Sequence, residues 1–346
     1  MKNLKSKKGC LIIIAVILVI IAGVSIFLLT NKKDNEEPKE PNKNNDTPAS
    51  EQVNIVDVNS KSRPYAIMIN NISTARPLQS GLQDAYIMYE IIVEGGITRY
   101  LALFLDANTD RIGSIRSARH YYLDYALEND AIFVHHGQSP QALEDISTLK
   151  IDRIQVNNTT TGWRDKTLNV ATEHTLFTST DKLKNGLKNL RTERKKDLLL
   201  KYKKDEVSLE NMENSKKADN VSITYSKGTT TSYQYDAENK VYNRFVNNKE
   251  HTDYVTKKQY NFKNIITYQV PNKSIEGDNK GRQDINNIGS GEGYFITNGY
   301  AVKINWSKEC RECQTKYTYT NGEEIEVNDG NTFIQIQPSG EKLVIE

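Results

Sequence analysis

The spacing of apolar and polar positions divides the chain into segments of different character. Residues 11–29 (LIIIAVILVIIAGVSIFLL) are one apolar run without a charge, long enough at about 1.5 Å per residue to cross roughly 30 Å of hydrocarbon as a helix. The pattern predicts a single N-terminal transmembrane helix there. Residues 30–60 are rich in charge, Asn and Pro and bury too little surface to offset the entropy of ordering. They read as a flexible polar stalk. From residue 61 short apolar runs return. Tyr65–Asn70, Ala85–Val93, Tyr100–Leu105 and Ala131–His135 read as strands, the second and third as hairpin partners across Glu94-Gly95-Gly96. Ser114–Leu127 has helical spacing, Ser139-Pro140 opens a second helix with Ser as its N-cap, and Thr180–Leu200 reads as a charged helix. Strands interleaved with helices predict an α/β (or α+β) domain over 61–200.

Residues 201–219 are charged and free of glycine and read as a connection. Over 220–346 the pattern is strand after strand: Val221–Tyr225, Thr231–Tyr235, Val241–Phe245, Ile265–Val270, Tyr294–Thr297, Ala301–Trp306, Lys316–Tyr319, Glu324–Val327 and Thr332–Gln337. Asn321-Gly322 between alternating runs signals a two-residue hairpin turn, and the polar, glycine-bearing Ser274–Ser290 reads as a mobile loop. The expected architecture is therefore an α/β domain followed by a small, mostly β domain.

Charge assigns sides to this layout. Lys2, Lys5, Lys7 and Lys8 precede the apolar run, which by the positive-inside rule holds residues 1–10 in the cytoplasm and the bulk of the chain outside the cell membrane. A cleaved signal peptide is the competing reading. Over the 346 residues, 46 Lys+Arg nearly balance 44 Asp+Glu, and the basic residues are dispersed among the acids, which argues against nucleic acid as a partner. The cytoplasmic membrane is the partner the sequence implies directly.

Three groups carry candidate chemistry. In the segment from Gly113 to His120 (GSIRSARH), a helical wheel puts Ile115, Ala118, Tyr122 and Ala126 on one face, Arg119 at its edge and Arg116 just beyond. With Ser114, Ser117 and a helix N-terminus beside them, these arginines fit a phosphate or carboxylate site. The competing reading pairs Arg119 with Glu90 or Glu94 as a structural contact. The turn from Glu94 to Arg99 (EGGITR) contributes Arg99 and two glycines that allow close approach. Four of five histidines, His120, His135, His136 and His174, precede residue 200. His135, or His174 beside Glu173, suits general acid–base work. Their spacing does not form a zinc set, so no metal and no cofactor is expected. Cys310 and Cys313 (CRECQ) fit a local disulfide or two free thiols.

The motifs RPYAIMINNISTARPLQSGLQDAYIMYEIIVEGGITRYLALF, RIGSIRSARHYYLDYALENDAIFVHHGQSP, WRD at 163–165, EHTLFTST at 173–180, YNRF at 242–245, HTDY at 251–254 and GYFITNGYAVKINW at 293–306 together resemble the YerB-type surface proteins of Gram-positive bacteria, a family built on a domain of unknown function. Its members are commonly lipoproteins. No cysteine follows the apolar run here, so a membrane helix is expected in place of the lipid. A remoter likeness, through Ser114-Ile115-Arg116 and the overall layout, is to the LytR-CpsA-Psr phosphotransferases. That likeness implies arginines on a lipid-linked pyrophosphate and a divalent metal on carboxylates such as Asp106, Asp110, Glu90 and Glu94.

The resulting expectation is a membrane-anchored extracellular protein that binds an anionic cell-wall polymer, lipid-linked precursor or envelope protein through Arg99, Arg116, Ser117, Arg119 and Arg164 without catalysing a reaction. The alternative is a cell-envelope phosphotransferase or hydrolase working through Glu94, His135 or His174.

Overall fold

A computed structural model describes residues 56–346. The run at 11–29 expected to span a membrane lies outside the described residues. Among the described residues, no helix is long and apolar enough to cross a membrane.

The expected fold class is corrected. The described residues are mostly β, and both halves contribute strands to one eleven-stranded sheet. The N-terminal half supplies β1 (Tyr65–Asn70), β2 (Ile87–Ile92), β3 (Thr98–Phe104), β4 (Ile132–His135) and β5 (Arg153–Gln155). The C-terminal half supplies β6 (Asn220–Ser226), β7 (Thr229–Asp236), β8 (Val241–Val246), β9 (Asn264–Val270), β10 (Gly289–Thr297), β11 (Tyr300–Lys308), β12 (Lys316–Tyr319), β13 (Thr332–Pro338) and β14 (Leu343–Ile345). Across the large sheet the order is Lys216–Lys217, β11, β10, β9, β13, β2, β3, β1, β4 and β5, with β12 on β11. Thus β13 lies parallel between β9 and β2, with Ile87 opposite Thr332 and Ile91 opposite Ile336. Every residue of β2 and β13 is buried, as expected of strands covered on both faces. A six-stranded sheet contains β14, β6, β7 and β8.

Among the described residues, α-helix is confined to α1 (His120–Glu128), α2 (Pro140–Thr148) and α3 (Thr180–Lys184). Ser139 caps α2 by accepting from the Ala142 N–H at 3.1 Å. The helix expected from Ser114 begins only at His120, because residues before it are extended: Ile115 bridges Ile69, and the Arg116 N–H donates to Met68 O. The helix expected over Thr180–Leu200 stops at Lys184. Gly186 packs on Ile154, Asn189 takes a positive φ of 66°, and Arg191 turns away to Asp130. The segment expected as a loop over Ser274–Ser290 is partly hairpin, Asn272–Ser274 pairing with Gln283–Ile285. The hairpin turn expected at Asn321-Gly322 is present, with Glu324 bridging Thr318 and the Ile325 N–H donating to Tyr317 O of β12, after which Glu326–Asn328 leaves β12 to pair with Lys201–Lys203.

A buried ion pair joins the halves. Glu90 on β2 and Arg244 on β8 are both fully buried, with Arg244 Nη2 donating to Glu90 Oε2 at 2.7 Å. Thr98 at 2.7 Å and Thr231 at 3.0 Å donate to the same carboxylate. Arg244 Nη1 donates to His251 Nδ1 at 2.6 Å, and His251 Nε2 in turn contacts Gln79 Oε1. Burial, and then the charge of Arg244, lowers the His251 pKa well below the usual histidine value, so its neutral ring relays the contact. A second buried pair, Lys308 with Glu128 at 2.8 Å, ties α1 to β11; Tyr89 and Thr315 donate to the same carboxylate.

Removing one partner of a buried pair strands the other charge, at a cost on the order of 3–5 kcal/mol. Arg244→Met is expected to lower unfolding stability in urea by about that much. Glu90→Gln combined with Arg244→Met is expected to cost clearly less than the sum of the single changes.

Candidate functional site

Strands β1, β4 and β5 run parallel, and β3 runs antiparallel to β1 with Asn70 opposite Arg99. This brings the ends of β1, β2 and β4 and the start of β3 to one edge. In open sheets with parallel strands, ligands bind outside the carboxyl ends of those strands. At that edge the structure places Arg99, the extended segment carrying Arg116, Ser117 and Arg119, and His135 and His136 at the end of β4.

Arg99 and Arg119 share Glu94. The Glu94 carboxylate takes Arg99 Nη2 at 3.1 Å, Arg119 Nε at 2.9 Å and a second contact from Arg119 Nη2. Each guanidinium also donates to a backbone carbonyl, Arg99 to Ser117 O and Arg119 to Ala118 O. Burial alone would raise the Glu94 pKa, but the hydrogen bond from Arg119 and the charges of both arginines bring it down to about 2. Burial, with Arg119 beside it, lowers Arg99 to about 10. The turn holding Glu94 needs Gly95 and Gly96, both at positive φ, and Gly96 O accepts from the Ser226 and Thr229 hydroxyls.

Arg116 and Arg164 converge on the next turn, Thr172–His174. Arg116 donates to Glu173 at 2.8 Å, while Arg164 donates to Thr172 O and toward His136 Nε2 at 3.3 Å. No carboxylate is paired with Arg164 in the described ion pairs. Ser117 is held against Gly137, whose φ of 74° and missing Cβ make room for the Ser117 hydroxyl. These four arginines are contacted by two carboxylates, Glu94 and Glu173, and the neighbouring hairpin adds Asp284, 3.2 Å from His120 Nε2, and Asp278, paired with Arg282.

The two histidines suited to acid–base work, His135 and His174, are enclosed. His135 is buried, its Nδ1 hydrogen-bonded to Gly137 O at 2.8 Å and its Nε2 facing Arg153 at 3.3 Å. Burial lowers its pKa to about 4, so its ring is neutral at pH 7. His174 Nδ1 accepts from Asn70 at 3.0 Å and its Nε2 lies 3.7 Å from Glu173; burial lowers its pKa, against the pull of Glu173. The carboxylates suggested for a metal are dispersed. Glu90 is committed to Arg244, Glu94 to two arginines, and Asp106 to the Ser60 hydroxyl. Among the described residues, no three His, Cys, Asp or Glu side chains gather as a metal set.

Sequence spacing brought together Glu94, Arg99 and Arg119, and the structural pairing of Arg119 with Glu94 is observed; Glu90 serves Arg244 instead. Two features escaped the pattern. One is the Glu90–Arg244–His251–Gln79 relay. The other is a groove of about 720 Å³ at the opposite sheet end, lined by Tyr65, Phe104, Ile132 and Leu187 with Arg63 and Asp106 at its rim.

A histidine whose folded pKa lies below its unfolded value binds protons more readily when unfolded. Stability then rises with pH between the two values and is flat above the higher. For His135 the window is pH 4 to 6.5, worth about 3 kcal/mol. Urea unfolding is expected to show stability falling over that window as pH drops, with His135→Gln reducing the slope; Glu94 adds a loss only below about pH 4.5.

A relative named "Putative lipoprotein YerB", from Bacillus subtilis (strain 168), is 29% identical over 291 residues, covering 80% of this chain and 81% of the relative. The crystal structure of YerB protein from Bacillus subtilis superposes with a TM-score of 0.71 at 26% identity, covering 85% of this chain and 99% of that one. Residues 52–193 match the "Protein of unknown function (DUF3048) N-terminal domain" and residues 221–334 the corresponding C-terminal domain. The chain therefore belongs to the DUF3048 family, spread over two family domains that both contribute strands to the eleven-stranded sheet.

Proposed function

We propose that this protein is attached to the membrane on its outer side and binds an anionic envelope ligand at the edge holding Arg99, Arg116, Ser117, Arg119 and Arg164, without turning it over. The observation that carries the reading is the unequal pairing of those arginines. Four guanidiniums face two carboxylates, and one of those carboxylates neutralises two arginines at once. Such a cluster attracts phosphate or carboxylate groups, and the planar donors of Arg164 and Arg116 suit bidentate contact. Attachment to the membrane is supported by the lipoprotein name of the relative and by the apolar residues 11–29.

Binding is favoured over turnover because the acid–base candidates are engaged. His135 is buried between Gly137 O and Arg153, and Glu94 is held by two arginines. Glu94 occupies the position that a ligand anion would take, and its side chain is still about a quarter exposed. An arriving anion thus competes with Glu94 for Arg99 and Arg119, and meets Arg164 without such competition.

Inorganic pyrophosphate and a polyglycerol-phosphate oligomer serve as probes in titration calorimetry. Arg164→Ala and Arg116→Ala are each expected to weaken binding about tenfold, near 1.4 kcal/mol, with the melting temperature little changed. Glu94→Gln is expected to tighten binding while lowering stability. Equal binding by wild type and all three variants would remove the proposal, and release of phosphate from pyrophosphate would transfer it to the hydrolase reading through His174 and Glu173.

A further inference from the structure

Cys310 and Cys313 are joined in a disulfide that closes a four-residue ring just after β11. Both residues are partly exposed. A ring this small removes little entropy from the unfolded chain, since stabilisation by a cross-link grows with the loop it closes. The loop also has strong noncovalent anchors on either side. Within it, Arg311 donates to Asp124 and Asp145, both at 2.7 Å, fixing it to α1 and α2. Beside it, buried Lys308 donates to Cys313 O and Thr315 donates to Glu128 at 2.6 Å. The loop is therefore held by noncovalent anchors as well as by the bond.

The two sulfurs are not equivalent. The Cys313 N–H donates to Cys310 Sγ at 3.0 Å, a contact that stabilises negative charge on Cys310 if the bond opens. Cys313 instead lines an open groove of about 540 Å³ whose walls include Lys196, Glu309, Glu312 and Lys316. One sulfur is thus placed to be attacked and the other to leave.

We propose that Cys310–Cys313 is an exchangeable disulfide that oxidises a pair of cysteine thiols in an extended peptide segment lying in this groove. A thiolate of the segment attacks Cys313 Sγ, the Cys313–Cys310 bond breaks, and Cys310 leaves as the thiolate held by the Cys313 N–H. The segment's second thiolate then attacks its own sulfur in the mixed disulfide, and Cys313 leaves. The segment's dithiol has become a disulfide, and its two protons and two electrons have passed to Cys310 and Cys313. Leaving-group stability and access to the attacked sulfur govern such exchange.

The full chain in detergent is mixed at pH 7 with a synthetic unstructured peptide carrying two reduced cysteines, and the thiols are quenched by alkylation and counted by mass spectrometry. The folded protein is expected to oxidise the peptide at least about tenfold faster than the excised, oxidised 309–314 peptide does. With the peptide in its oxidised form, Cys310→Ser is expected to trap a mixed disulfide through Cys313 about tenfold more than Cys313→Ser traps through Cys310. The double serine variant is expected to melt within about 3 °C of wild type. A bond reduced only after denaturation, equal trapping by the two single variants, or a large loss of melting temperature in the double variant would each overturn the proposal and leave a structural staple.

Discussion

A carboxylate and a guanidinium out of reach of water, Glu90 and Arg244, are the joint on which the arrangement of this chain depends. Taking both charges from water is costly, and the pair is tolerable only because other groups complete its hydrogen bonds. Thr98 and Thr231 approach Glu90 from opposite halves of the sequence, Tyr225 donates to its backbone carbonyl, and the Arg244 guanidinium lies over the rings of Tyr100 and Phe333. A shift of β8 relative to β2 would leave several of these groups unsatisfied at once. The network thus specifies how the six-stranded sheet is docked on the eleven-stranded one, a task that nondirectional apolar packing does less sharply.

The arginine edge uses the same chemistry with a different balance. In the core one carboxylate meets one guanidinium; at the edge Glu94 meets two, and Arg164 meets none. The first arrangement is closed, since every charge is matched. The second leaves guanidiniums unequally matched, and the proposed anion binding rests on this difference in stoichiometry.

Much of the strand content could be read from the sequence, because short apolar runs bounded by polar residues mark strands well. Tyr65–Asn70 and Lys316–Tyr319 have the expected ends, and the β2–β3 hairpin turns at the expected glycines. Helices were over-read. Ser114 to Arg119 shares the spacing of a helix, yet backbone pairing with β1 and the turn after β4 draws it out straight. The union of both halves in one sheet was hidden, since local pattern says nothing about which distant strand lies alongside. Arg244 did leave a trace. In β8, Tyr242, Arg244 and Val246 alternate as the buried set, so strand period alone would have turned an arginine inward and required a partner for it. For the edge, Glu94 could be paired with Arg119 from sequence; sharing with Arg99 needed the cross-strand register.

The place of β13 has a consequence for how the molecule comes into being. This strand arrives near the end of the chain and sits between β9 and β2, in the interior of the large sheet. A chain made from its N-terminus therefore holds one edge of β2 open, opposite its pairing with β3, until residues 332–338 have emerged. Contacts so distant in sequence close slowly, and an apolar edge left open in the meantime is prone to pair wrongly. Strand β13 acts as a keystone: a product truncated before residue 332 would lose the link between β9 and β2, so a cell's proteases could recognise it as incomplete from its exposed β2 edge.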